Sequence, residues 1–432
     1  MTSISSRRGL LAISPILVFL ISYVAVSVAV GDFYKMPLSV SLIIASAWAV
    51  IIMRGSSLQQ RVEVFSREAG SPTVMYMIWI FILAGAFAAL AREVGAVEST
   101  VNLALEFLPR QMLVPGLFVA ACFISLSIGT SVGTVVALSP LAVELAQAEA
   151  ANVPFYIATV LGGAFFGDNL SFISDTTIAA TRTQGCKMND KFKANLCIVL
   201  PAAMAVLAFY IANGLSTADA TAETASKASD PTLIIPYLIV IVTAIMGINV
   251  TLVLSAGIVS AIALALLQGH TLISLFGYMG SGIDSVGNLI VITLLAAGML
   301  GLIKELGGIS YIIHIMTSKL RGTRGAQASI AALVSIVNLC TANNTVAIIT
   351  VGELARKISE KFGIDRRKTA SLLDTCSCIT QSLIPYGAQT LLATSLAGIS
   401  PVSPWPYMYY SWALIIMVAL SIIFQFPRKF NR

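Results

Sequence analysis

The sequence predicts an all-α polytopic membrane protein made of two inverted repeats, with about ten transmembrane helices, two re-entrant hairpins and two broken helices. Composition is the first reason, because 57% of the 432 residues are hydrophobic and only 11% are charged. So few charges cannot cover the surface of a water-soluble fold of this size. The other two reasons are apolar runs that recur along the whole chain and an order of elements that occurs twice.

The apolar runs are continuous rather than alternating, which indicates transmembrane helices and excludes an outer-membrane β-barrel. The first run follows Arg7 and Arg8, as a signal peptide would, but at about twenty apolar residues it is longer than a usual signal core. We therefore interpret it as an uncleaved first helix. The clearest runs are residues 10–30, 74–90, 196–213, 233–248, 252–267, 289–303 and 408–426.

Cysteine, histidine and net charge exclude several classes of function. The six cysteines are scattered, and Cys376 and Cys378 have weak metal-site spacing with no histidine nearby. The only histidines, His270 and His314, argue against a histidine metal site. Lys and Arg on cytoplasmic loops explain the net charge of +6 without a nucleic-acid partner. The sequence holds no nucleophile–base set or phosphate loop, so we expect no enzyme and no cofactor.

The chain contains an internal duplication. Residues 129–181 and 342–394 are both 53 residues long and align without a gap at an offset of 213. Shared residues are few, and the matching order of elements carries more weight. The duplication predicts a first repeat at 1–213, a polar extracytoplasmic linker at 214–232 and a second repeat at 233–432.

In each of four pairs of equivalent loops, one member is richer in Lys and Arg: the first repeat's member in the first and last pairs, and the second repeat's member in the two pairs between them. The pairs are 54–72 with 267–285, 92–111 with 304–324, 144–155 with 356–368 and 182–193 with 395–407. By the positive-inside rule, the two repeats lie upside down to each other, as in secondary transporters. Both termini are then cytoplasmic, in a bacterial-type inner membrane.

The same charges place re-entrant hairpins at 112–149 and about 327–355, and broken helices at 153–181 and about 369–395. Irregular backbone at membrane depth is tolerated only where it is buried in protein or lines a cavity. Its carbonyls, with Ser, Thr and Asn oxygens, can bind a small hard cation such as sodium, and half-helix N-termini can hold an anionic group. The four polar segments at this depth are 127–134, 167–177, 341–345 and 380–390.

Two carboxylates mark the first broken helix. Asp168 and Asp175 lie in an otherwise uncharged stretch of about 29 residues. A carboxylate at membrane depth is costly unless it is paired, solvated or bound to a cation, which makes both residues candidates for a cation and proton site. The alternative is a pair of helix-capping carboxylates, and capping and ion binding can coexist. Their repeat counterparts, Gln381 and Ala388, are neutral, so the charge is kept in one repeat only.

The second repeat supplies neutral candidates. Asn343, Asn344 and Thr345 fit a cradle for a cation or substrate, with interhelical hydrogen bonding as the alternative. Asp374, in the second broken helix, is either a second titrating site or the partner of a basic residue.

Residues 167–177, Gly-Asp-Asn-Leu-Ser-Phe-Ile-Ser-Asp-Thr-Thr, resemble the GDN-x-S-x-x-SDTT hallmark of the NhaC-type sodium/proton antiporter family, part of the ion transporter superfamily. The resemblance covers most of the chain in layout, with motif identity confined to this stretch. It implies inverted repeats and sodium-linked transport. Phe172 stands where family members often carry Pro, so the helix break is expected to be milder. Residues 343–345 are similar to the Ser-Asn-Thr hairpin tips of carboxylate transporters in the superfamily.

Two hypotheses follow from this resemblance. In the first, sodium/proton antiport by alternating access, sodium or protons bind in turn at Asp168, Asn169, Ser171, Asp175 and Thr176. The second is sodium-coupled transport of an amino acid or small carboxylate, with the solute held by Thr130, Ser131, Asn343, Asn344, Thr345, Asp374, Gln381 and Ser382. The expected partners are membrane lipid, sodium and protons, joined under the second hypothesis by an amino acid or carboxylate. The sequence leaves open whether the protein forms a homodimer.

Overall fold

The computed structural model describes residues 6–30, 37–100, 109–128, 130–171, 174–216, 231–246, 248–311 and 322–427. These residues form helices and connecting segments, and no strand occurs among them. The first half contributes α1 (Ser6–Val30), α2 (Leu38–Ile52), α3 (Leu58–Ala69), α4 (Pro72–Glu93), α5 (Leu113–Ile128), α6 (Ser131–Ala148), α7 (Val153–Leu170), α8 (Asp175–Gln184) and α9 (Met188–Ser216).

The second half repeats this series. It contributes α10 (Ile235–Ile245), α11 (Val250–Leu267), α12 (Leu272–Ser285), α13 (Gly287–Glu305), α14 (Gly322–Thr341), α15 (Asn344–Phe362), α16 (Arg366–Leu383), α17 (Ala388–Leu396) and α18 (Tyr409–Ile423). Short 3-10 turns lie at Arg110–Met112, Pro231–Ile234 and Trp405–Tyr407. Helices α7 and α16 begin and end at positions 213 residues apart, the offset found in the sequence.

The two series of helices also exchange packing partners. Helix α3 packs on α13, and its counterpart α12 packs on α4; α6 packs on α17, and its counterpart α15 packs on α8. Such reciprocal packing is what a two-fold relation between repeats produces. It brings the backbones of α4 and α12 so close that a Cβ on Gly282 would lie 2.2 Å from the carbonyl oxygen of Gly85.

Both predicted hairpins are present as pairs of packed helices. Helices α5 and α6 meet at residues 129–130, where Thr130 is extended and Gly129 lies outside the described residues. Helices α14 and α15 meet at Ala342, which has a positive φ of 49°, and Asn343, whose side chain caps α15 by accepting a hydrogen bond from Val346 N. Their re-entrant course through a membrane stays a prediction.

Both predicted broken helices are present too. Between α7 and α8, Ser171 and Ser174 are extended, while Phe172 and Ile173 lie outside the described residues. Between α16 and α17, Pro385 follows an extended Ile384. Proline lacks the backbone N–H that would continue the helix and disfavours helical geometry in the residue before it.

Two helices occupy stretches that the charge pattern assigned to loops. Helix α3 falls within 54–72 and α12 within 267–285. Ser57 and Gln60 form a reciprocal capping box that starts α3, an arrangement that satisfies the free N–H groups of the first turn. Because four of the twelve residues of α3 are charged, a count of Lys and Arg alone could not separate it from a loop.

Six helical stretches are long and apolar enough to cross a membrane, counting only the described residues. They are Val74–Glu93, Ser131–Ala148, Val153–Gln184, Met188–Gly214, Val250–Leu267 and Leu272–Glu305, and shorter apolar helices include Arg8–Tyr23, Leu38–Ile52 and Tyr409–Ile423. Large apolar side chains such as Leu267 and Val259 lie exposed on the outer face, as expected for a surface that contacts lipid. The protein is therefore a polytopic membrane protein.

The predicted linker at 214–232 falls mostly outside the described residues, which end at Ser216 and resume at Pro231. Helix α9 thus extends three residues into the predicted linker, and a 3-10 turn takes its last two positions. The division into domains at these boundaries stays a prediction.

Candidate functional site

The two hairpin tips and the two helix breaks meet around a cavity of about 330 Å³, which we call the central cavity. The N-termini of α6, α8, α15 and α17 all lie at its wall, and each brings the positive end of its helix dipole. The predicted site residues that line it are Thr130, Ser131, Asp168, Asp175, Thr176, Asn343, Asn344, Thr345 and Gln381.

Asp168 is buried in the last turn of α7 and is bound by side chains from three other segments. Ser174 Oγ donates to its Oδ1 at 2.6 Å, and Ser131 Oγ donates to its Oδ2 at 3.0 Å. Asn344 Nδ2 lies 3.5 Å from the same Oδ2. Ser174 thereby leaves the first turn of α8 without a side-chain cap, and Thr176 Oγ1, 2.7 Å from Ser174 Oγ, extends the cluster of oxygens.

A chain of hydrogen bonds joins this carboxylate to the second repeat. Gln389 Nε2 donates to Ser131 Oγ at 3.0 Å, and Gln381 Nε2 donates to Gln389 Oε1 at 3.0 Å. Gln381 Nε2 also lies 3.1 Å from the carbonyl oxygen of Ala342 at the hairpin tip. Gln381 Oε1 is buried and accepts no hydrogen bond from the described residues, so it is left as an acceptor in the cavity wall.

The oxygens around Asp168 fit a monovalent hard cation. The described residues contain no group of three or more His, Cys, Asp or Glu side chains that could hold a metal ion. A cation at Asp168 would instead have one carboxylate with the hydroxyls of Ser131, Ser174 and Thr176 nearby. Broken helices in transporters bind sodium with oxygens of this neutral kind.

The mouth of the cavity is formed by different residues. Asp175, the first residue of α8, lines the cavity but is exposed. Tyr76 Oη donates to Asn249 Oδ1 at 3.2 Å, and both residues line the cavity. A second cavity of about 510 Å³, with Glu68 and Lys304 in its wall, shares Ala342, Asn343, Met77 and Ala388 with the first.

A buried ion pair lies behind the helix break. Lys191 of α9 and Asp374 of α16 are both fully buried and form an ion pair, and Lys191 Nζ also donates to the carbonyl oxygen of Asn169. Asn195 Nδ2 donates to that same carbonyl and to Asp374 Oδ2, each at 2.9 Å. Of the two interpretations of Asp374, the structure supports the partner of a basic residue.

Four predicted site residues do not line the central cavity: Asn169, Ser171, Asp374 and Ser382. Asn169 Nδ2 donates to the carbonyl of Phe165 within its own helix, and Ser382 Oγ lies 2.7 Å from Ser411 Oγ on α18. A broken helix still turns 100° per residue, so neighbours of Asp168 and Gln381 along the sequence face other helices.

Sequence reasoning missed Ser174, Gln389, Lys191 and Asn195. The charge pattern counts Lys191 among the cytoplasmic loop charges, although it begins an apolar helix and lies four residues before Asn195. That spacing puts both side chains on one helix face, and a polar pair on one face of an apolar helix is the signal that could have identified them.

The chain is similar to known proteins over most of its length. The sequence model of the Na+/H+ antiporter family matches residues 4–215 and 194–426. The chain is 20% identical over 96% of its length to the malate-2H(+)/Na(+)-lactate antiporter of Bacillus subtilis, covering 94% of that protein. It is 25% identical over 83% of its length to the Na(+)/H(+) antiporter NhaC of the same organism, covering 85% of it.

A further relative and a solved structure are also similar to this chain. The arginine/ornithine antiporter ArcD of Halobacterium salinarum is 24% identical over 81% of this chain, which covers 78% of that protein. Among solved structures, the Alcanivorax borkumensis YdaH transporter aligns with a TM-score of 0.40 and 14% identity, over 85% of this chain and 88% of that one. The match to the family model extends over both halves, and the chain belongs to the Na+/H+ antiporter family.

Proposed function

We propose that this protein exchanges sodium for protons at Asp168 by alternating access, in a bacterial-type inner membrane with both termini in the cytoplasm. The observation that carries the proposal is the environment of Asp168. A buried carboxylate lies at a helix break with two hydroxyl donors and an amide around it, and no lysine or arginine hydrogen bonds to it within the described residues. Family membership supports the same chemistry.

The hydrogen bonds around Asp168 suit either ion. A hydroxyl carries one donor and two acceptor lone pairs, and its hydrogen rotates to suit the partner. With sodium bound, Ser131 and Ser174 can turn their oxygens toward the ion, and with a proton on Asp168 they can accept or donate. The site therefore holds one cation or one proton without an unpaired charge, which is the exchange an antiporter needs.

The position of the site between the repeats suits alternating access. Asp168 is held by Ser131 and Ser174 of the first repeat and lies near Asn344 of the second. A movement of both hairpins and both broken helices together against the other helices would change which side of the membrane the cavity faces while the ligands stay with the ion. The exposed mouth at Asp175 then belongs to one of the two states.

The test uses purified protein in liposomes with a trapped pH-sensitive dye. With wild-type protein, sodium added outside the liposomes should drive protons out of them and raise the internal pH. With Asp168→Asn the internal pH should not change. Asp284→Asn removes an exposed carboxylate of α12 and should behave as wild type. Lowering the pH should raise the apparent KM for sodium without changing the maximal rate, because both ions compete for one carboxylate. Sodium-driven proton movement through Asp168→Asn would contradict the proposal.

A second candidate function is the exchange of a small organic solute. The central cavity, at about 330 Å³, lies at the lower end of the size range of small-molecule pockets and is larger than one ion needs. Its neutral amides Gln381, Gln389 and Asn343 extend the wall beyond Asp168. The similar malate/lactate and arginine/ornithine antiporters carry such solutes.

The solute hypothesis is tested in the same liposomes. Liposomes loaded with an unlabelled amino acid or carboxylate should take up the same compound in labelled form, and the uptake should be saturable and sodium-dependent. If sodium alone drives proton exchange and none of the tested amino acids or carboxylates is taken up, sodium/proton antiport remains as the function.

A further inference from the structure

The pair Lys191–Asp374 lies outside the central cavity and has no part in the exchange described above. Both side chains are buried, with 1% and 0% of their surface exposed. The pair joins the two repeats, since Lys191 lies on α9 and Asp374 on α16. An ion pair this deeply buried stabilises a fold weakly, because removing both charges from water offsets their attraction. Its hydrogen bonds show a more specific role.

All three donors of the Lys191 ammonium have an acceptor. One goes to Asp374, one to the carbonyl of Asn169 at 2.7 Å and one to Thr177 Oγ1 at 2.7 Å. Asn169 lies in the last turn of α7, where the helix break leaves carbonyl oxygens without an intrahelical donor. Thr177 lies in the first turn of α8. A single ammonium therefore joins the two ends of the broken helix.

The bound carbonyl belongs to the residue after Asp168. A shift of the Asn169 carbonyl would shift the Asp168 backbone, and with it the carboxylate that Ser131 and Ser174 hold. A cation at the C-terminus of α7 also complements the negative end of the helix dipole. Asn195 donates to both the Asn169 carbonyl and Asp374 Oδ2. Two side chains of α9, Lys191 and Asn195, therefore bind the Asn169 carbonyl.

We propose that Lys191 is a positioning residue for ion binding, which holds the two halves of the broken helix against the second repeat so that Asp168 keeps its ligand geometry. The proposal rests on sodium/proton exchange at Asp168. Lys191 does not touch the ion, and it acts through the Asn169 carbonyl and Thr177.

Two double variants separate positioning from a merely structural ion pair. Lys191→Gln with Asp374→Asn removes both charges and keeps an N–H donor at position 191. Lys191→Met with Asp374→Asn removes the same charges and that donor. Neither leaves an unpaired buried charge, the defect that makes single removals destabilising. The two variants thus differ mainly in whether residue 191 can bind the Asn169 carbonyl.

We expect the Met variant to raise the apparent KM for sodium about tenfold or more, the usual effect of losing a residue that orients a metal ligand. Its maximal rate should fall much less, and the Gln variant should recover most of the affinity. Equal KM values in the two variants, with sodium-driven flux intact in wild type, would overturn this inference alone. No flux in wild type would instead contradict the proposed function.

Amide hydrogen exchange gives a readout that needs no transport. Peptides spanning residues 166–177 should exchange faster in the Met variant than in the Gln variant, while peptides from α12 should exchange equally in both. Equal exchange at 166–177 would overturn the positioning role whatever the flux measurements show.

Discussion

Asp168 and Gln381 lie 213 residues apart, each third from the end of its half-helix, and both line the central cavity. Ser131 and Asn344, the first residues of α6 and α15, are related by the same offset, and both approach Asp168 Oδ2. The cavity is therefore built from equivalent positions of the two repeats, with the carboxylate in one and an amide in the other. One buried carboxylate in a two-fold arrangement suits a site that holds one cation.

Gln381→Met tests whether the neutral amide of the second repeat supports the Asp168 site of the first. The substitution keeps the volume but removes the donor to the Ala342 carbonyl and to Gln389. We expect the free energy of unfolding to fall by about 1–3 kcal/mol, the cost of a buried polar group left unpaired, and the KM for sodium to rise. Thermal unfolding in detergent measures the first and liposome flux the second. Gln147→Met, at an exposed position of α6, is the control, and equal effects of the two would contradict the argument.

Ser131→Ala removes one of the two hydroxyls that donate to Asp168 and leaves Gln389 Nε2 without its acceptor. We expect the KM for sodium to rise by about tenfold, as for other residues that orient an ion ligand. Ser139 offers a matched control, because it is buried on the same helix and its Oγ has no hydrogen-bond partner among the described residues. A flux assay in which Ser131→Ala and Ser139→Ala bind sodium equally would exclude Ser131 from the site.

The hairpins and helix breaks could be predicted because local chemistry determines them. Pro385 interrupts the second broken helix, and the polar run from Asp168 to Thr177 can lie at membrane depth only in a cavity. The offset between the repeats then brings these segments together. Asp168, Ser131, Asn344 and Gln381, which line the central cavity, were predicted for this reason.

Counting charges along the chain predicted neither the buried position of Lys191 nor helix α3. The charge pattern locates each lysine only by its neighbours along the chain. The partners of Lys191 lie on other helices, namely α7, α8 and α16. Lys368 also falls in a stretch that the charge pattern assigns to a loop, yet it is buried and donates to Ser421 Oγ and to the carbonyl of Phe426. In both cases a tertiary contact overrides the tendency of lysine to mark a cytoplasmic loop.

Asp175→Asn should affect ion capture rather than ion binding. Asp175 is exposed at the mouth of the cavity, whereas Asp168 is buried. An exposed charge attracts cations at a distance, and salt screens that attraction. We expect the KM for sodium to rise several-fold at low ionic strength, with little change in maximal rate, and the difference to disappear when choline chloride is added. Asp175→Glu keeps the charge and should match wild type. Complete loss of flux in Asp175→Asn would instead place this residue among the ion ligands.

Gly282→Ala tests the close contact between the repeats. A Cβ at this position would lie 2.2 Å from the Gly85 carbonyl oxygen and 2.7 Å from the Ala89 side chain, so α4 and α12 would have to separate. Overpacking of this kind costs about 1–3 kcal/mol, and we expect a lower thermal midpoint. Gly280 lies on the same helix, and a Cβ added there would meet no atom within 4 Å, so Gly280→Ala should stabilise the helix by up to about 1 kcal/mol. If both alanines shifted the thermal midpoint in the same direction by the same amount, the two helices would not meet at Gly85 and Gly282.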